Sequence, residues 1–385
     1  MKNYSYQLQY ADILRRLINE PRKKRPSRIG NIRSNFVELM RVDLTKEFPL
    51  MDLKKIKFSN ILHELLWFIH GDTHIKYLIE NGCNIWTDDA YRYYKEQQEK
   101  AKKEYISLYG NVENLNGKTP DEQFKPISKE EFIQLALKGK NHWGELDRIY
   151  GKQWREFNGK TDQLQKCINT LMTNPDDRRM IVTAHNPTDI EDEIVGLPSC
   201  HNMFQFYTIP LSFEEREAIA IKNGYQSKNE YIKIVGEDKS NTEYVKRVLD
   251  DNKIPEFYLC TWFNIRSNDF FLGQPYNMAS YALLTHIVAN VVNMIPLEVA
   301  CTAIDCHLYE AHIDAAETYL KRFEKILDDN YIGETGIETS VNCVTYCKSK
   351  IIISRKLKSI DDVTADDIKL VDYNPQPFIK APLLT

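Results

Sequence analysis

Residues 277–292 read NMASYALLTHIVANVV, with apolar side chains on nearly every face of a helix. Such a helix has no face to give to water, so other elements must cover it all round. Segments of strand character lie around it, at 180–183, 203–208, 257–265 and 297–304. They are too scattered for a simple strand-helix-strand repeat. The pattern predicts an α+β fold, a mixed twisted β-sheet packed with helices.

Other segments extend this frame. Residues 4–19 follow a helical pattern, and the basic run 22–28 (RKKRPSR) reads as a loop, either solvated surface or a phosphate contact. Residues 58–70 repeat apolar side chains at helical spacing through Ile61, Leu62, Leu65, Leu66, Phe68 and Ile69, and Gly71 ends the run. A shorter helix is expected at 74–80, and helical spacing resumes at 307–323. Two polar segments, 91–143 and 211–255, read as insertions of surface helices and loops on one catalytic domain spanning 1–385.

A formal net charge of -4 argues against a general nucleic-acid or membrane-surface binder. No apolar run approaches the roughly 20 residues that span a bilayer, and the N-terminus lacks a signal-peptide core, so a cytoplasmic protein is expected. The eight cysteines are scattered, which suits reduced thiols better than a disulfide framework. Cys200-His201 and Cys306-His307 lack the CxxC or HxxxH spacing of a zinc site, so no metal is expected.

The densest chemistry lies in LPSCHNMFQFY, residues 197–207. Cys200 and His201 stand at the mouth of an alternating aromatic strand, where a thiol has a fixed direction and suits a nucleophile. Arg178 and Arg179 open another strand, which would point them to opposite faces. Arg266-Ser267 ends a third strand and supplies the donors a phosphomonoester needs; no Gly-rich phosphate loop is present. Glu64 in HELLWF is either an edge residue or a partly buried carboxylate able to move protons. Asn277 follows Gly273-Gln-Pro-Tyr and reads locally as a helix N-cap. His307 and Tyr309 flank a strand-to-helix junction, Trp86 and Tyr150 read as packing aromatics, and Asp269 reads as a turn residue.

Taken in order, FPLMDLKK, HELLWFIHGDT, NIW, IYGKQWR, PDDRRMIV, LPSCHNMFQFY, RSNDFFLGQPYNMASYALLTH, DCHLYEAH and YNPQPFIKAP resemble the superfamily of thymidylate synthases and pyrimidine-nucleotide hydroxymethylases. The resemblance implies that fold, with the sheet face used for homodimerisation. It implies that Cys200 attacks C6 of a pyrimidine nucleotide, whose C5 then takes the one-carbon unit of 5,10-methylenetetrahydrofolate. It assigns the 5′-phosphate to Arg266 and Ser267, with Arg178 and Arg179 reaching across a dimer, and the ribose hydroxyl to His307 and Tyr309. Glu64 relays protons through water, Tyr150 assists loss of the C5 proton, and His201 supports that network. Trp86, Asp269 and Gly273 face the folate, and the C-terminal tail closes as a lid.

Asn277 matches the O4 and N3–H edge of uracil, pointing to dUMP, where the similar dCMP hydroxymethylases carry an Asp. For the product, several departures from the synthase pattern favour water over hydride. Ser199 replaces a proline, His185 a tryptophan, and SRIGN (27–31) the usual phosphate loop. NIRSND (264–269) is closer to the hydroxymethylases, and the chain ends on Thr385. A more polar pocket admits water, so the sequence favours 5-hydroxymethyl-dUMP in a phage-type enzyme of the host cytoplasm. The alternatives are a divergent thymidylate synthase making dTMP, and a homologue that binds nucleotide or RNA without catalysis.

Overall fold

The computed structural model describes residues 5–27, 30–114, 116–139, 143–191, 197–223, 242–329 and 345–382. The chain packs as two compact units. The first comprises 1–56, 165–182 and 203–381; the second comprises 57–164, 183–202 and 382–385.

A seven-stranded mixed sheet organises the first unit. Its strands are β1 (Lys23–Ser27), β2 (Gly30–Asp43), β3 (Ile181–Thr183), β4 (His201–Pro210), β5 (Phe257–Ile265), β6 (Asn268–Asp269) and β7 (Ile295–Tyr309). The order is β1-β2-β7-β5-β4-β3, with β6 beside β7. β7 runs antiparallel to β2 and parallel to β5. A separate pair, β8 (Lys350–Ile353) and β9 (Ile368–Val371), lies near the C-terminus.

The apolar helix predicted at 277–292 is present as Gly273–Val292 and is buried along most of its length. Its partner is one face of the sheet. Phe263 of β5 stacks on Tyr281 with ring centroids 4.1 Å apart, and Phe204 of β4 meets Tyr281 at 5.5 Å. Thr285 sits in this core because its hydroxyl is satisfied, donating to the Tyr281 carbonyl and pairing with the Thr261 hydroxyl, both at 2.7 Å. The helix ends on Asn293 in the left-handed conformation, φ 58°.

Among the described residues the opposite sheet face carries exposed apolar side chains. The register places Val37 beside Ile304 and Leu39 beside Thr302. Leu39 is 68% exposed, and on β4 the alternation that buries Phe204 and Phe206 leaves Tyr207 62% exposed.

In the second unit the helix Phe58–Ile69 packs closely on the helix Tyr150–Arg155. A side chain at Gly151 would meet the backbone carbonyls of Asp72 and Phe68 at 3.0 and 3.1 Å, so any larger residue would have to push this backbone apart by a few tenths of an ångström. Gly71 leaves the first helix at φ 69°. The insertion 91–143 carries helices Thr87–Tyr109, Pro120–Gln123 and Lys129–Leu137. Of the insertion 211–255, helices Phe213–Asn223 and Thr242–Asp251 are described, while 224–241 lies outside the described residues.

Four local expectations are corrected. Residues 23–27 of the basic run are strand β1 rather than a loop, because β2, which has no counterpart in the sequence reading, pairs along them, and Arg25 bonds Asp305 at 2.6 Å. Arg178 and Arg179 lie in the bend before β3, not on a strand. Asn277 is not an N-cap but sits a turn inside its helix. That helix opens earlier because the Asp269 carboxylate accepts the Phe271 and Leu272 N–H groups at 3.1 Å, and Pro275 has no N–H to lose. β7 runs on to Tyr309, so His307 is on a strand and the following helix is Ile313–Asp329.

Candidate active site

In the second unit five of the predicted residues form one connected cluster, Cys200 through its backbone. The Cys200 N–H donates to the Tyr150 hydroxyl at 2.7 Å. The Tyr150 ring lies flat on His201, with centroids 3.9 Å apart and planes 12° apart. Tyr150 meets Trp86 edge-on at 5.9 Å, and Trp86 Nε1 donates to Glu64 Oε1 at 2.6 Å. Phe68 packs among them, 4.9 Å from Tyr150 and 6.0 Å from His201. The aromatic spacing of HELLWF carried that signal, yet Phe68 was read only as core.

These rings set the electrostatics. Desolvation pushes the Glu64 carboxyl up to about 7, against the opposing pull of the Trp86 hydrogen bond. A carboxyl there exchanges its proton near neutrality, as a relay requires. Desolvation also drives His201 down to about 3, which keeps its imidazole neutral. Burial raises Cys83, near Glu64, to about 11, so this neighbouring thiol stays protonated.

Two departures from the synthase pattern are also placed here. Ser199 is buried and donates its hydroxyl to the Ala184 carbonyl at 2.9 Å. His185 is exposed, and its N–H bonds the Thr183 hydroxyl at 3.2 Å. Of SRIGN, Arg28 and Ile29 lie outside the described residues, as does Thr385 at the tail.

The first unit holds the other predicted residues. Arg266 is exposed and Ser267 half-buried in the bend between β5 and β6. Asp269 pairs with His307 across β6 and β7. His307 is buried, and its Nδ1 donates to the Asp305 carbonyl at 2.7 Å; that carbonyl only accepts, which fixes the proton on Nδ1. Tyr309 meets the His307 ring edge-on at 5.2 Å. Asn277 is half-buried, and a side chain added at Gly273 would stand 3.9 Å from its Nδ2. Arg178 and Arg179 are exposed in their separate bend, with Arg179 bonded to Asp177 at 2.7 Å. Lys54, quoted earlier only within FPLMDLKK, is buried over the Phe271 ring at 3.6 Å, and desolvation lowers it to about 7.

Among the described residues no group of three or more His, Cys, Asp or Glu is arranged to hold a metal ion, and no helix is long and apolar enough to cross a membrane. None of the seven described cysteines is in a disulfide; Cys343 lies outside the described residues.

The family model for thymidylate synthase matches residues 8–224 and 244–385. The chain belongs to the thymidylate synthase family. It is similar to the thymidylate synthase of Mycoplasma pneumoniae, 32% identical over 97% of this chain and 98% of that protein. Thymidylate synthases of Listeria monocytogenes and Listeria innocua are 33% identical over 97% of this chain and 99% of theirs. The family's chemistry is one-carbon transfer from methylenetetrahydrofolate to C5 of dUMP. The internal stretch left unmatched, 225–243, falls inside the polar segment 211–255.

Proposed function

We propose that this chain makes dTMP and dihydrofolate from dUMP and 5,10-methylenetetrahydrofolate. The observation that carries this is similarity to proteins named thymidylate synthase along nearly the whole of both chains. It revises the product expected from sequence, 5-hydroxymethyl-dUMP, which rested on a more polar pocket. Two of the substitutions behind that expectation lose their force: the Ser199 hydroxyl is taken up by the Ala184 carbonyl, and His185 faces outward.

On this reading Cys200 adds to C6 of uracil, which makes C5 nucleophilic and divides one hard step into easier ones. Methylenetetrahydrofolate, when bound, supplies the one-carbon unit and the hydride that completes the methyl group. On this reading Trp86, packed against Trp67 and Phe68, faces the pterin and helps keep water from it. Tyr150 assists removal of the C5 proton, supported by His201, and Glu64 passes protons through water near neutral pH. Arg266 and Ser267 bind the 5′-phosphate, His307 and Tyr309 the ribose hydroxyl, and Asn277 the uracil edge; Asp269 and Gly273 face the folate. Residues 1–385 act as one catalytic domain, and 91–143 and 211–255 are additions to it.

A homodimer belongs to the same reading. The apolar outer sheet face, with Val37, Leu39, Tyr207 and Ile209 exposed, needs a partner of like shape, and a second copy supplies one. Arg178 and Arg179, exposed in their bend, would then serve the partner's phosphate.

Incubation with dUMP and methylenetetrahydrofolate tests the proposal. Equal amounts of dTMP and dihydrofolate are expected, by product mass and folate absorbance. A product carrying a hydroxymethyl group, with tetrahydrofolate left behind, would restore the other reading.

A further inference from the structure

We propose that Asp189 is a positioning residue that sets the Tyr150 hydroxyl against Cys200 and so governs loss of the C5 proton. The inference rests on the roles given above to Tyr150 and Cys200.

Asp189 lies in the short helix Pro187–Glu191 and is 6% exposed. Its Oδ2 accepts three hydrogen bonds, from Arg148 Nε at 2.5 Å, Gln153 Nε2 at 2.6 Å and Asn186 Nδ2 at 2.8 Å. Two of these donors bracket Tyr150. Arg148 stands two residues before it, and Gln153 lies within the helix Tyr150–Arg155 that Tyr150 begins. Gln153 Nε2 also donates to the Arg148 carbonyl at 2.8 Å, which closes the bracket.

The carboxylate itself belongs to the segment that leads into Cys200. Residues 192–196 of that segment lie outside the described residues, but its described ends are tied together: the Ala184 and His185 N–H groups donate to the Asn202 carbonyl at 2.8 and 3.2 Å. Ser199 is tied to the Ala184 carbonyl as well. Asp189 is therefore the point at which the thiol segment grips the tyrosine helix. What that grip aligns is the bond from Cys200 N–H to the Tyr150 hydroxyl and the Tyr150–His201 stack. One oxygen serving three donors defines a position more sharply than a single flexible pair would. Among the described residues Arg148 Nη2 and Gln153 Oε1 are buried without a hydrogen-bond partner, so no second anchor at those atoms replaces the carboxylate there. A proton transfer needs its groups within hydrogen-bond reach, and displacement of about 1 Å can cost on the order of 100-fold in rate.

A merely structural Asp189 would lower melting temperature and leave the chemistry of the folded fraction intact. The test follows tritium release from 5-tritiated dUMP with methylenetetrahydrofolate, for the whole chain below its melting temperature. Asp189→Asn is expected to slow release about 10- to 100-fold, with KM for dUMP within about two-fold of the parent. Tyr150→Phe should slow the same step, and the double variant should be no slower than Tyr150→Phe alone, since one acts through the other. Should Asp189→Asn fail to fold, Gln153→Leu removes one of the three donors and should give a smaller loss that also vanishes in the Tyr150→Phe background. Losses that multiply in the double variant, or release within about two-fold of the parent for folded Asp189→Asn or Gln153→Leu, would overturn the proposal. No tritium release by the parent chain would instead overturn the dUMP reading itself, which separates the two failures.

Discussion

The candidate catalytic side chains of the second unit and the candidate phosphate-binding arginines of the first stand in opposite environments. In the second, Glu64, Trp86, Tyr150, Cys200 and His201 are joined through hydrogen bonds and ring contacts, largely out of water. In the first, the guanidiniums of Arg178, Arg179 and Arg266 stand exposed. Chemistry on a proton or a carbon needs groups fixed before the substrate arrives, because the energy of ordering them would otherwise be charged to the rate. Capture of a doubly charged phosphate needs only cations that it can reach and that stay charged. The difference predicts that variants of the aromatic cluster lose turnover and variants of the arginines lose affinity.

The largest expected effect is at Cys200. Cys200→Ala should reduce turnover to background while dUMP binding, measured by calorimetry, stays close to the parent, since the contacts proposed for phosphate and ribose lie elsewhere. Turnover near the parent value would remove the thiol from the mechanism.

Glu64→Gln should lower kcat by about 10²-fold or more and abolish the rise of activity through about pH 7. The same change has a stability signature. The native carboxyl keeps its proton to about 7 against an ordinary 4.5, so the folded state binds more protons than the unfolded one across that window. Stability from this group is therefore greatest below about 4.5 and falls as pH rises to about 7, by up to about 3 kcal/mol. Glu64→Gln should thus melt higher than the parent at pH 8, with the gap closing towards pH 4.5. A variant melting lower at pH 8 would show that ionised Glu64 is stabilised by its surroundings.

Arg266→Ala should raise KM for dUMP about 10- to 100-fold, as expected for loss of a charge-assisted pair, with kcat changed less. An equal fall in kcat with KM unchanged would break the contrast between the units. The smallest effect is one of choice rather than rate: Asn277→Asp should shift preference from dUMP towards dCMP in competition assays. An unchanged ratio would free Asn277 from reading the base.

What was legible in the sequence follows the same physical divide. The buried helix at 277–292 and strand β5 were read almost to their ends, since full burial leaves an unbroken apolar signal. Strand β2 was missed because polar Ser34 and Glu38 interrupt the buried run of Ile32, Met40 and Val42; Glu38 bonds Asn35 and Arg16. Of the site, residue identities came from ordered motifs. Their environment did not: whether Glu64 faced solvent or rings depended on Trp86 and Tyr150 arriving from separate segments. Asp189 had no signal in TDIED beyond its charge, because its three partners come together only in the fold.

The most direct test of the account is the intact mass of the protein after incubation with 5-fluoro-dUMP and methylenetetrahydrofolate. The account predicts a covalent adduct of both molecules, mapped by peptide digestion to Cys200. Folded protein of unmodified mass, or an adduct on any other residue, would contradict it.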